Sequence, residues 1–153
     1  MAKFVVPEQV ETAFRSALAV RARAHAPYSH YAVGAAIKTR GSEFIAVGCN
    51  VENAAYPSGM CAEANAIGQM VSRVEDREPI EFVVVVTENP QGAAPCGQCR
   101  QMLAEFSDAQ TQVYFASLEG VQRRVSLVDL LPFSFTAQDL AEAREKVSDA
   151  KQN

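Results

Sequence analysis

Apolar positions near the start of the chain recur at helical spacing. Val10, Phe14, Ala17 and Leu18, with Arg21 next on the stripe and Pro7-Glu8 as an opening, predict a helix over about residues 7 to 25. Pro27-Tyr28-Ser29-His30 breaks it. Two apolar-rich runs follow, Tyr31 to Thr39 and Phe44 to Cys49, joined at Arg40-Gly41-Ser42-Glu43 as in a β-hairpin. Asn50 to Met60 reads as an irregular loop, and Cys61 to Val74 as a helix on Ala62, Ala66, Met70, Ile67 and Val71. After the polar turn Glu75-Asp76-Arg77-Glu78-Pro79, Phe82 to Val86 is apolar throughout, the mark of a strand covered on both faces. A loop from Glu88 to Pro95 leads to a helix over Gly97 to Phe106, with Met102, Leu103 and Phe106 inward. Val113 to Phe115 and Val121 to Val125 give two more strands, then a short helix near Leu127 to Leu131 and a C-terminal helix from Ala137 that frays from about 146. Strands alternating with helices predict an α/β sandwich.

The length of 153 residues suits a single domain, 1–153, that buries a core without disulfides. A hydrophobic content of 48% and a charged content of 21% are ordinary globular values. The net charge of −4 argues against a nucleic-acid partner, since phosphate binding needs a concentrated basic surface. Arg21 and Arg23, and Arg123-Arg124, read as solvated charge. Met1-Ala2-Lys3-Phe4 lacks the apolar run of a signal peptide and no stretch approaches a membrane span, so a cytoplasmic protein is expected. In that setting the cysteines read as a reduced metal site and not as disulfides.

Three of the four cysteines stand in two short words, Cys61-Ala62-Glu63 and Pro95-Cys96-Gly97-Gln98-Cys99. Both fall where a loop ends and a helix begins. Helix N-termini carry partial positive charge and free N–H groups, which favour thiolates. Three thiolates on Zn²⁺ sum to −1 and leave the fourth position of a tetrahedral ion open, which separates a catalytic from a structural site. A carboxylate beside that position, Glu63, is a general base in waiting. Pro-Cys-x-x-Cys preceded by a ligand-x-Glu word is the signature of zinc deaminases, in which the glutamate is acid/base and not ligand.

The chain closely resembles the homotetrameric cytidine deaminases from about Tyr28 to Leu140. The likeness rests on Pro27 to Ala36 (PYSHYAVGAA), Gly48 to Ala54 (GCNVENA), Cys61-Ala62-Glu63, Pro95 to Gln101 (PCGQCRQ) and Leu130-Leu131-Pro132. It implies a three-layer α/β/α sandwich around a mixed five-stranded sheet, and one Zn²⁺ held by Cys61, Cys96 and Cys99. It implies that Glu63 shuttles protons during hydrolytic deamination of cytidine and 2′-deoxycytidine, a pyrimidine-salvage reaction. Asn50 and Glu52 match a pair that binds the sugar hydroxyls, Ala62 meets the base through its backbone, and Tyr31 stacks on the pyrimidine. Tyr56 and Phe135 match aromatics that complete a neighbouring subunit's pocket, so a homotetramer with shared pockets is expected.

Two positions depart from the family's pattern. Ala64 stands where an Arg usually hydrogen-bonds the zinc thiolates, with Arg100 the nearest candidate to compensate. Tyr31 stands where Phe is usual. Both keep open a modified cytosine nucleoside or nucleoside antibiotic as substrate. Cys49 would close the shell as a fourth ligand and make the zinc structural, a reading that leaves Glu63 without a purpose. His25 and His30 read as helix-end and turn residues, Met60 as packing, and Phe133 as a core anchor, a role Phe135 would share with its part in the pocket.

Overall fold

The structure is a computed structural model that describes residues 5–76 and 78–150, with the side chains of 145–150 left aside. Arg77 of the polar turn and the chain's first four residues lie outside the described residues, as do the side chains on which fraying from about 146 would bear. Among the described residues, five α-helices, α1 (Glu8–Arg21), α2 (Ala62–Arg73), α3 (Gly97–Ala104), α4 (Leu127–Leu130) and α5 (Ala137–Ala150), and a single 3-10 turn at Tyr56–Ser58 accompany five strands, β1 (Gly34–Thr39), β2 (Ile45–Cys49), β3 (Ile80–Val86), β4 (Gln112–Ser117) and β5 (Gly120–Ser126). The strands form one mixed sheet in the order β2-β1-β3-β4-β5. The β1–β2, β1–β3 and β4–β5 pairs are antiparallel, and β3–β4 is parallel.

The alternation of side chains along β3 builds the layers. Phe82, Val84 and Val86 pack with Val10, Ala13, Phe14 and Ala17 of α1 on one face. Val83 and Val85 face the other way, into a core with Ala62, Ala66, Ile67 and Met70 of α2 and Leu103 of α3. The strand is apolar throughout because both faces are covered. Met102 and Phe106 are only partly buried against that core. Val71, predicted on the inward stripe, is 40% exposed, since α2 packs on the sheet through Ala62, Ala66, Ile67 and Met70 and leaves Val71 outside that stripe.

The topology places the site. Because β2 and β3 are each antiparallel to β1, they run in the same direction. The helices that follow them, α2 and α3, therefore begin at the same end of the sheet. Two glycines allow close packing there. A Cβ at Gly48 would lie 2.3 Å from the Ala62 carbonyl oxygen and 2.4 Å from the Ala66 nitrogen, and one at Gly34 would lie 2.1 Å from the Ala17 carbonyl oxygen. α2 also covers the outer edge of β2: Gln69 Oε1 accepts from the Val47 N–H at 2.6 Å, and Asn65 Nδ2 donates to the Cys49 carbonyl at 2.7 Å.

Two boundaries differ from expectation for tertiary reasons. α1 ends at Arg21 and not near residue 25, because the His25 backbone bridges to Val51, donating to the Asn50 carbonyl and accepting from the Glu52 N–H. β1 begins at Gly34 and not at Tyr31, because Tyr31 to Val33 are taken by the Asn50 side chain instead of the sheet. Phe133 and Phe135 are both exposed, so neither anchors the core.

Candidate metal centre and substrate cavity

Cys61 is the N-cap of α2, Cys96 is the N-cap of α3, and Cys99 lies in the first turn of α3. Their sulfurs lie within 4.8 Å of one another, with Cys61 and Cys96 3.9 Å apart. Thiolates bound at about 2.3 Å to a tetrahedral ion stand about 3.8 Å apart, so the three fit a zinc ion as they are placed. The starts of α2 and α3 turn their positive ends toward the cluster and offset its negative charge. The Cys61 thiol is lowered to about 6 by its hydrogen bond with Cys99, while the same bond, helped by burial, pushes Cys99 up. Cys49 is half-buried and outside the cluster.

Glu63, in the first turn of α2, is only 4% exposed. Burial pushes its carboxyl up, against the opposing pull of backbone and Cys99 hydrogen bonds. A carboxyl raised this way exchanges protons closer to neutrality than a surface glutamate does. Ala64 follows it, half-buried, and offers the cluster no donor. Arg100 does not visibly take that role: its Nε donates to the Pro95 carbonyl at 2.8 Å and its Nη1 to the Leu130 carbonyl at 3.0 Å, bracing the loop that delivers Cys96.

In front of the cluster opens a cavity of about 440 Å³. Cys61, Ala62, Glu63 and Cys96 form its floor, and Tyr31, Asn50, Glu52 and Tyr56 line its walls. Seven of the expected site residues besides Cys96 are thus brought together with it. Phe135 is outside this cavity, 58% exposed, its carbonyl accepting from Gln101 Nε2. Met60 is half exposed and lines the cavity, where packing alone had been expected.

One wall of the cavity is built by a strip of chain that pairs on both sides. Val51 exchanges backbone hydrogen bonds with Met60, and Glu52 N–H donates to the His25 carbonyl at 2.7 Å. Asn50 Oδ1 accepts from the Val33 N–H and its Nδ2 donates to the Tyr31 carbonyl, both at 2.8 Å. Its amide thus fixes the Tyr31 segment. The Glu52 carboxylate accepts from the Ser29 hydroxyl and from the backbone N–H groups of Tyr28 at 2.9 Å and Ser29 at 3.2 Å. The Ser29 hydroxyl, ahead of the two backbone donors, holds the Glu52 carboxyl below its ordinary range, so it is charged. Ser29 carried no expected role; its part shows only once the loop is folded.

Three thiolates at converging helix starts, with a buried carboxylate beside them and a cavity in front, define a zinc-dependent hydrolytic site for a small molecule. Residues 7–116 match the family described as the cytidine and deoxycytidylate deaminase zinc-binding region, and the chain belongs to that family. It is 37% identical over 126 residues to a cytidine deaminase of Halalkalibacterium halodurans, covering 82% of this chain and 93% of the relative. It is 37% identical over 137 residues to one of Sporosarcina psychrophila, covering 90% and 98%. The fold matches the crystal structure of cytidine deaminase from Burkholderia pseudomallei with a TM-score of 0.74 at 36% identity, covering 82% of this chain and 98% of that one. Among the described residues no helix is long and apolar enough to cross a membrane.

Proposed function

We propose that the protein deaminates cytidine and 2′-deoxycytidine hydrolytically, yielding uridine or 2′-deoxyuridine and ammonia, in pyrimidine salvage in the cytoplasm. The observation that carries this reading is the buried Glu63 carboxylate beside the Cys61, Cys96 and Cys99 cluster, at the floor of a cavity with a charged Glu52 on its wall. Zinc, which Cys61, Cys96 and Cys99 would hold, would supply a nucleophile at neutral pH by lowering the pKa of water. Glu63 takes one proton of the attacking water and delivers it to N3 of the ring, then carries the second, from the new hydroxyl on C4, to the 4-amino group, which leaves as ammonia while C4 becomes a carbonyl. Ala62, at the start of α2, has a backbone N–H without an intrahelical partner and meets the base. Tyr31 stacks on the pyrimidine, and Asn50 and Glu52 receive the sugar.

The charge on Glu52 supports a nucleoside over a nucleotide or a nucleic acid, because a phosphate brought to that wall meets like charge. Tyr56 is 76% exposed, and Phe135 and Phe133 project from the surface; these unburied aromatics support a homotetramer in which a neighbour's Phe135 completes the pocket. The deciding experiment is a panel of cytosine, cytidine, 2′-deoxycytidine, 5-methylcytidine and dCMP with wild type and Glu63→Gln. Turnover of cytidine and 2′-deoxycytidine by the wild type alone is the expected result. Preference for 5-methylcytidine moves the assignment to a modified nucleoside, and turnover confined to dCMP overturns the nucleoside reading.

A further inference from the structure

Ser29 meets Glu52 in a way that restricts what the carboxylate has left to offer. Both Tyr28 N–H and Ser29 N–H point at Glu52 Oε2, at 2.9 and 3.2 Å, and the Ser29 hydroxyl donates to Oε1. A carboxylate has about four lone-pair sites. Oε2 is fully used, and Oε1 retains one. The same Ser29 oxygen accepts from the Tyr31 N–H at 3.0 Å, tying the residue behind the expected stacking wall to the residue on the sugar wall. Ser29 stands where the main cavity meets a vestibule of about 400 Å³ lined by Tyr28, Asn53 and Tyr56, and both spaces touch Ser29 and Glu52. Among the described residues Ser29 has no other hydrogen-bond partner, so its geometry is directed entirely to Glu52 and Tyr31.

We infer that Ser29 is a positioning residue for substrate recognition: it fixes the Glu52 carboxylate so that a single lone pair, on Oε1, is presented to one sugar hydroxyl. This rests on the reading of Glu52 as the sugar contact. Without the serine hydroxyl the carboxylate keeps its two backbone donors but gains a second free site on Oε1 and freedom to turn about its own axis. The cost falls on binding a hydroxyl, not on the proton transfers assigned to Glu63.

The test is steady-state kinetics of wild type, Ser29→Ala, Ser29→Thr and Glu52→Gln on cytidine, 2′-deoxycytidine, 3′-deoxycytidine and 2′,3′-dideoxycytidine. For Ser29→Ala on cytidine, KM rises about tenfold, the scale of one hydrogen bond to a charged group, while kcat stays within about twofold. That increase persists on one of the two monodeoxy substrates and disappears on the other and on the dideoxy compound. Ser29→Thr, which keeps the hydroxyl, restores the wild-type KM, and Ser29→Ala adds nothing in a Glu52→Gln background. An increase of equal size on all four substrates overturns the inference, because it assigns Ser29 to holding the Tyr31 segment. A wild-type KM for Ser29→Ala beside a raised KM for Glu52→Gln also overturns it and leaves the sugar contact standing. A silent Glu52→Gln removes the sugar contact itself and this inference with it.

Discussion

Gly48 on β2 and Ala62 at the start of α2 approach so closely that a Cβ on the glycine would sit 2.3 Å from the Ala62 carbonyl oxygen. The obstacle is backbone on both sides, with the Ala66 nitrogen at 2.4 Å, so no side-chain rotation relieves it. Gly48→Ala therefore pushes the first turn of α2 off the sheet and takes Cys61 and Glu63 with it. The expected loss is about 3 kcal/mol, the upper end for overpacking a tight contact. Urea unfolding together with zinc content checks it, and a stable variant with full zinc would show that the two elements can separate freely.

Glu63→Gln keeps the size and burial of the side chain and removes its proton chemistry. The zinc content is expected to remain at one per chain while kcat on cytidine falls by at least about 10³-fold, toward the upper range for a general acid–base group. Metal analysis and the absorbance change on deamination are the two measurements. Loss of zinc in this variant would make Glu63 a ligand and contradict the open-site reading.

The sequence made the central machinery legible because it is local. The cysteine words, their places at helix starts and the apolar run of β3 each depend on neighbours within a few residues. What it could not show depends on chain segments brought together by folding. α1 stops where His25 meets Val51, and β1 starts late because Asn50 claims Tyr31 and Val33. Ser29 is more than twenty residues from Glu52 along the chain, so no spacing rule joins them. Phe133 and Phe135 read as core because they are large and apolar, yet the sheet and its helices already fill the interior without them.

Ala64 leaves the thiolate cluster without a side-chain donor from the first turn of α2, and Arg100 is spent on the Pro95 and Leu130 carbonyls. Ala64→Arg adds a guanidinium beside a cluster of net negative charge. Zinc is expected to bind about tenfold tighter, the lower end of what groups behind metal ligands contribute. Competition with a chelator reads the affinity, and cytidine kinetics read the effect on rate. No change in either would mean that the helix ends alone neutralise the site.

Arg40, just past β1, holds Asp108 with two hydrogen bonds, Nη1 to Oδ2 at 2.5 Å and Nη2 to Oδ1 at 2.7 Å. The Arg40 side chain holds the Asp108 carboxyl down to about 2 from its ordinary 3.8. A carboxyl lowered on folding contributes stability that is present above 3.8 and lost as the pH falls through about 2. The pair is partly exposed, so the contribution is modest. Asp108→Asn is expected to melt a few degrees below wild type at neutral pH, with the gap closing between about pH 4 and pH 2. Melting curves across that window decide it; a gap that persists at pH 2 would assign the loss to something other than the carboxylate's charge.

The side chains of Asn65 and Gln69 leave the sheet with unequal edges. A bare strand edge is a template for pairing with another chain. On β2 the outward Val47 N–H and Cys49 carbonyl are already taken by α2. On β5 the exposed Arg123 and Arg124 set like charge against any second copy that would pair there. The helix that carries Glu63 is thus also the guard of one edge against aggregation. Whatever loosens α2 uncovers β2, so resistance to aggregation in this protein is tied to the seating of the helix that follows Cys61.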